Sequence, residues 1–174
     1  MIDSYAIYNK AHALVQKCGT DDPVRITKEL GIRVYDVQDL SDLLGMYVYR
    51  WKHRMILMNP NVNRILYRMV LAHEIGHDQL HRSLATNGDL KEFELFNMTN
   101  MTEYEANAFA AHILIDESEM LELFRNGYDL AQTASSLKVN INLLLIKAQE
   151  MNRMGMDLKL PYDPDARFFR DTRE

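Results

Sequence analysis

One cysteine, Cys18, is present in 174 residues. An internal disulfide framework is therefore excluded, as is a cysteine-based zinc site, and a reducing cytoplasm is the default setting. Positive charge is also scarce. Lys and Arg number 20 against 25 Asp and Glu, a net charge of −5. That balance argues against a protein that coats nucleic acid through a broad basic field, so no direct nucleic-acid partner is expected. No apolar run reaches 18 residues, which leaves no membrane span. The opening residues, Met1-Ile2-Asp3-Ser4-Tyr5, lack the basic-then-apolar order of a secretory signal. There is no internal repeat and no low-complexity linker. What remains is a chain with 47% apolar residues, long enough to bury a real core as one domain.

The chemistry is concentrated between Val70 and Gln79, where His73-Glu74-Ile75-Gly76-His77 forms an H-E-x-x-H pentad. On a helix, positions i and i+4 share a face, so two imidazoles one turn apart can bind one zinc ion. Glu74, beside the first of them, can take a proton from a water at that ion. Asn59-Pro60-Asn61 offers a stop, a cap and a first-turn proline for such a helix. Leu66, Val70, His73 and His77 continue one buried stripe, with Ile65, Met69, Ala72, Gly76 and Leu80 beside it. Gly76 costs about 1 kcal/mol relative to Ala in mid-helix, and close approach of another backbone would repay it. A competing reading makes the histidines ordinary core residues, so a third ligand is the deciding feature.

Elsewhere the chain reads as mainly helical. Asp3 to Lys17 is amphipathic and ends at Gly19, and Asp22-Pro23 opens a helix over Val24 to Leu30. Ile32 to Val37 alternates as a strand. After a connection over Leu40 to Leu44, Gly45 starts a hairpin of strands Met46–Trp51 and Met55–Met58, turning at Lys52-His53-Arg54. The expected class is α+β: a mainly helical single domain with a small antiparallel β-sheet of about three strands beside the metal helix. An edge strand there could hold an extended peptide by strand addition. His81 closes the metal helix as a cap or surface residue. Ser83 to Met101 reads as irregular, with a turn at Asn87-Gly88 and Phe93, Leu95 and Phe96 folding back over the body.

The helix over Thr102 to Ile115 holds two candidates for the third ligand. Glu103 shares a face with Asn107, which could hold a ligand from behind. Glu105 has an alternative use in a Thr102-x-x-Glu105 capping box, so Glu103 is preferred. Tyr104, His112, His53 and Arg68 are candidates for steadying an oxyanion or lining the cleft.

The stretch Arg68-Met-Val-Leu-Ala-His-Glu-Ile-Gly-His77, followed by Glu103-Tyr-Glu-Ala-Asn-Ala-Phe-Ala-Ala111, resembles the ImmA/IrrE family of metallopeptidases. The likeness covers roughly residues 1 to 125. It implies one Zn²⁺ per chain held by His73, His77 and Glu103, with Glu74 as catalytic base and Asn107 behind a ligand. It implies a gluzincin-like zinc endopeptidase whose protein substrate is a helix-turn-helix repressor of a phage or mobile element. The chain departs from the family's habit of glutamate at the position of His112 and proline at that of Asp116.

Residues 1–125 are thus expected to form a zincin-like core, with 126–174 a C-terminal helical extension packed on it and ending in a mobile tail that carries Arg167-Phe-Phe-Arg170. Helices at Asp116–Arg125, Tyr128–Lys138 and Asn140–Arg153 are expected. The last two resemble a helix-turn-helix pair, but Ile141-Asn-Leu-Leu-Leu-Ile is too apolar for a DNA groove. Two rival functions remain. One is a metal-binding module that docks to a repressor without cleaving it. The other is a DNA-binding regulator, which the acidic balance disfavours.

Overall fold

Short polar side chains set where the helices begin. The computed structural model describes residues 2–38, 40, 43–86 and 100–160. In chain order it has α1 (Ser4–Cys18), α2 (Pro23–Glu29), β1 (Arg33–Asp36), β2 (Gly45–Arg50), β3 (His53–Met58), α3 (Arg64–Leu80), α4 (Arg82–Thr86), α5 (Met101–Leu114), α6 (Glu117–Arg125), α7 (Leu130–Ser136) and α8 (Ile141–Arg153). Asp3, Asp22, Asn63, Asn100, Asp116, Asp129 and Asn140 each accept a backbone N–H of the helix that follows, satisfying a donor that the first turn leaves open. Two expectations shift accordingly. The metal-bearing helix starts behind Asn63, and Asn59 instead closes a turn by accepting from Asn61 N. The cap of α5 is Asn100, so the Thr102–Glu105 box does not form. The short α4 occupies residues expected to be irregular. Asn87-Gly88, the segment with Phe93, Leu95 and Phe96, and the tail with Arg167 to Arg170 lie outside the described residues.

The α+β expectation holds, but the sheet is mixed where an antiparallel one was expected. Its order is β1-β3-β2. β1 runs parallel to β3, with Val34 opposite Ile56, while β2 pairs antiparallel to β3, with Tyr47 opposite Ile56. The connection after β1 carries the chain past the place that β3 later fills, so β1 and β3 come to lie in the same direction. The hairpin turns at Trp51-Lys52, one residue earlier than expected, with φ of 49° and 65°. These values fit a two-residue turn of the primed class, which normally uses Asn or Gly. The sequence has neither residue at these positions, so the expected hairpin is present with its turn displaced by one residue.

Two helices carry the core. α3 is buried from Met69 through Asp78, and α5 buries Ala106, Ala108, Phe109, Ala110 and Ala111. They pack on each other, with α1 and α8 against α5 and β2 against α3. Ile65, expected inside, is 44% exposed because α3 has only just begun there. α8 spends its apolar side on the core, burying Leu143, Leu144, Leu145, Ile146 and Ala148. It therefore has no free reading face for a DNA groove. Among the described residues no helix is long and apolar enough to cross a membrane.

At Gly76 the backbones of α3 and α5 come close together. A Cβ there would lie 3.0 Å from both the Cα and the carbonyl oxygen of Ala106. Helix propensity alone would make Gly76→Ala stabilising by about 1 kcal/mol. Forcing the two backbones apart is expected to outweigh this, with a net loss of about 1–3 kcal/mol in urea denaturation.

Candidate metal centre

α3 projects two imidazoles from adjacent turns. The ring centroids of His73 and His77 are 4.7 Å apart, and their Nε2 atoms 3.0 Å. α5 brings Glu103 across to meet them. Its Oε2 lies 3.2 Å from His73 Nε2 and its Oε1 3.4 Å from His77 Nε2. All three side chains are buried, at 1% exposure each. One atom from each lies within 4.8 Å of the others. Two ring nitrogens and a carboxylate converging in the buried interior form a donor set suited to a divalent ion, which zinc accepts readily. The residues fit such a group. Glu105, the alternative third ligand, points elsewhere.

The surrounding residues hold this arrangement. His73 Nδ1 donates to Asn107 Oδ1 at 2.9 Å, leaving Nε2 for the cluster. His77 Nδ1 lies 3.0 Å from His81 Nδ1, and His81 Nε2 lies 3.0 Å from Glu105 Oε2. His81 does cap α3, as expected, but it is buried and part of the site. Burial acts against the charge on His73, yet Glu103 beside it outweighs that and raises its pKa. Burial lowers His77 to about 4. Burial pushes Glu103 up, but the adjoining His73 and His77 rings prevail and hold it well below the usual carboxylate range.

Glu74 leaves α3 about 100° around the axis from His73 and about 60° from His77, with its carboxylate against the start of β2. Burial raises it to about 7, with the His73 charge opposing and the backbone N–H of Tyr47 donating to it. Among the described residues its Oε1 is buried without a hydrogen-bond partner. Gly45 makes the room: a Cβ there would come 2.6 Å from Val70 Cγ1 and 3.4 Å from Glu74 Oε1.

Other candidates lie away from the cluster. Tyr104 follows Glu103 by one residue, so it leaves α5 about 100° around the axis. Its hydroxyl donates to Glu150 on α8 at 2.7 Å. His112 is nine residues on, about 13.5 Å along the helix and on its opposite face. There it is buried, and its Nδ1 accepts from the Lys147 ammonium at 3.0 Å. The contacts of both are thus made with α8 and not with the metal cluster. His53 begins β3 and is exposed, and Arg68 is part-buried on α3.

Fully buried charges lie outside any motif the sequence offered, Asp78 and Lys147 among them. Asp78, fully buried, accepts from Tyr47 Oη at 2.8 Å, Arg82 at 2.8 Å and Arg54 at 3.3 Å, tying the sheet to α3. A carboxylate inside an otherwise buried helical stretch was the available signal. Lys147, also fully buried, sits in the apolar run of α8, where its charge was the corresponding signal.

The family model Peptidase_M78, described as IrrE N-terminal-like domain, matches residues 27–149. That span contains every residue of the cluster. The chain is also 32% identical over 104 residues to "Uncharacterized immunity region protein 2" of Bacillus phage phi105, an alignment covering 60% of this chain and 65% of that protein.

Two outcomes are expected here. Equilibrium dialysis should find one zinc per chain, with Glu103→Ala losing it. Because a proton competes for the raised His73 site, affinity should fall as pH drops through and below the ordinary histidine range. Separately, burial lowers Lys147 to about 8 from 10.5. A folded value below the unfolded one means that the unfolded chain holds the extra proton, so this group makes stability rise with pH across that interval. Urea denaturation at pH 7.5 and 10 should show wild type gaining about 2 kcal/mol on Lys147→Met over that range.

Proposed function

The chain belongs to the IrrE N-terminal-like family, Peptidase_M78, and from that premise we propose a zinc-dependent, site-specific endopeptidase that cuts a helix-turn-helix repressor of a phage or mobile element. The observation that carries this reading is the buried convergence of His73, His77 and Glu103, with the Glu74 carboxylate on the same helix. A reducing cytoplasm suits a chain whose one thiol, Cys18, is free.

When bound, a zinc ion would supply Lewis acidity, lowering the pKa of a water towards ~7 and polarising a peptide carbonyl. His73, His77 and Glu103 are the residues that would hold it. Glu74 takes the proton of the attacking water and passes it to the leaving amine. A base works best with a pKa near the operating pH, and burial already carries Glu74 to about 7. A nearby cation would lower that value and favour the ionised, proton-accepting form.

The sheet supports a position for the substrate segment. Among the described residues β2 is an edge strand, and its first residue, Gly45, lies against Glu74. A peptide added along that edge would be held by main-chain hydrogen bonds and drawn past the carboxylate. The phage relative is named for an immunity region. Carried to this chain, that setting favours a regulatory protein as substrate, and a repressor kept in one state until it is cut.

The reading is tested with a helix-turn-helix repressor, taken from the neighbouring genes if one is encoded there, incubated with zinc-loaded protein and followed by intact mass. One discrete cut is expected from wild type. Glu74→Gln should bind zinc as wild type does and lose cleavage by at least about 10³-fold, the scale of a lost general base with its coupled steps. A stable complex with no cut in either sample would replace the peptidase with a docking module.

A further inference from the structure

We infer that Glu105, acting through His81, fixes the ring tautomer and orientation of His77 and thereby sets how tightly this centre holds its metal. The inference rests on the metal-centre reading above and deepens it by assigning two positioning residues.

The argument is one of counting donors. His77 and His81 are buried, at 1% and 4% exposure, and polar nitrogens in a dry interior need partners. The chain of contacts runs from Glu105 Oε2 to His81 Nε2 at 3.0 Å, and from His81 Nδ1 to His77 Nδ1 at 3.0 Å. An ionised carboxylate can only accept, so His81 Nε2 carries a proton. A neutral imidazole has one such proton, so His81 Nδ1 is an acceptor. His77 Nδ1 must then donate to it. The lone pair of His77 is left on Nε2, the nitrogen that faces His73 and Glu103. A carboxylate two residues along α5 from the third ligand thus determines which nitrogen of His77 is available.

The two histidines are held by different devices. His73 is oriented directly by the neutral carboxamide of Asn107 at 2.9 Å. His77 is tied through a second ring to a charge. Without Glu105 the His81–His77 pair can invert, placing a proton on His77 Nε2, where it blocks ligation. Glu105 is 22% exposed at its side chain, so it can be exchanged with little disturbance of the core.

The test compares Glu105→Met, similar in size but unable to accept, with Glu105→Gln, whose amide oxygen still can. Zinc affinity is measured by competition with a chromophoric chelator, and the His77 tautomer is read from long-range ¹H–¹⁵N imidazole spectra. Glu105→Met is expected to weaken zinc binding roughly 10–100-fold and to mix the His77 tautomers. Glu105→Gln should recover much of both. A packing role for Glu105 would leave the two variants alike. If both bind zinc as wild type does, with His77 protonated on Nδ1, the inference is overturned while the metal centre stands. If wild type itself takes up no zinc, the metal-centre reading has failed, and this inference fails with it.

Discussion

The contact between Gly76 and Ala106 sets the distance on which the candidate centre depends. α3 supplies two imidazoles and α5 supplies the carboxylate, so the three can meet only if the helices nearly touch. They do so where a single Cβ would come within 3.0 Å of the opposing backbone. Close packing of this kind leaves little slack. A displacement of the helices by a methyl's width would pull Glu103 away from both Nε2 atoms together. The alanines of α5 serve the same end, since larger side chains would hold α3 off.

Charge burial follows from that packing. His73, Glu74, His77, Asp78, Glu103 and Asn107 are each at most 2% exposed, and buried ionisable groups are costly unless they find partners. The molecule handles them in two ways. Asp78 is surrounded by Tyr47, Arg54 and Arg82, and its role is to fasten the sheet to α3. The His73–His77–Glu103 cluster instead gathers electron-pair donors around a common point, an arrangement that a cation relieves. An ion bound only by the folded chain would add its binding energy to stability, so the centre would join the two helices as well as serve chemistry.

Much of this was legible in the residues themselves. The i, i+4 spacing of His73 and His77 fixed a shared face, and Glu103 with Asn107 repeated that logic on a second helix. Gly76 in a helical stripe announced a close approach, and its neighbour proved to be the alanine face of α5. Short-range chemistry was less readable where the residues were atypical. A primed turn built from Trp51 and Lys52 has no glycine to mark it, and three residues separate Pro60 from α3. Long-range pairing was hidden for another reason. That Glu105 would meet His81, or that Tyr104 and His112 would turn to α8, depends on how helices dock, which periodicity does not encode. The parallel β1–β3 pair is of the same kind, since it depends on where a connection crosses.

The central claim is that His73, His77 and Glu103 hold one metal ion between them. Zinc X-ray absorption on the loaded protein tests it most directly, since it reports the ligands themselves. The expected spectrum has only nitrogen and oxygen neighbours at about 2.0–2.1 Å, with the outer-shell scattering of two imidazoles. Scattering from a third imidazole would place His81 on the metal. A sulfur neighbour at about 2.3 Å, or an ion without imidazole scattering, would contradict the account.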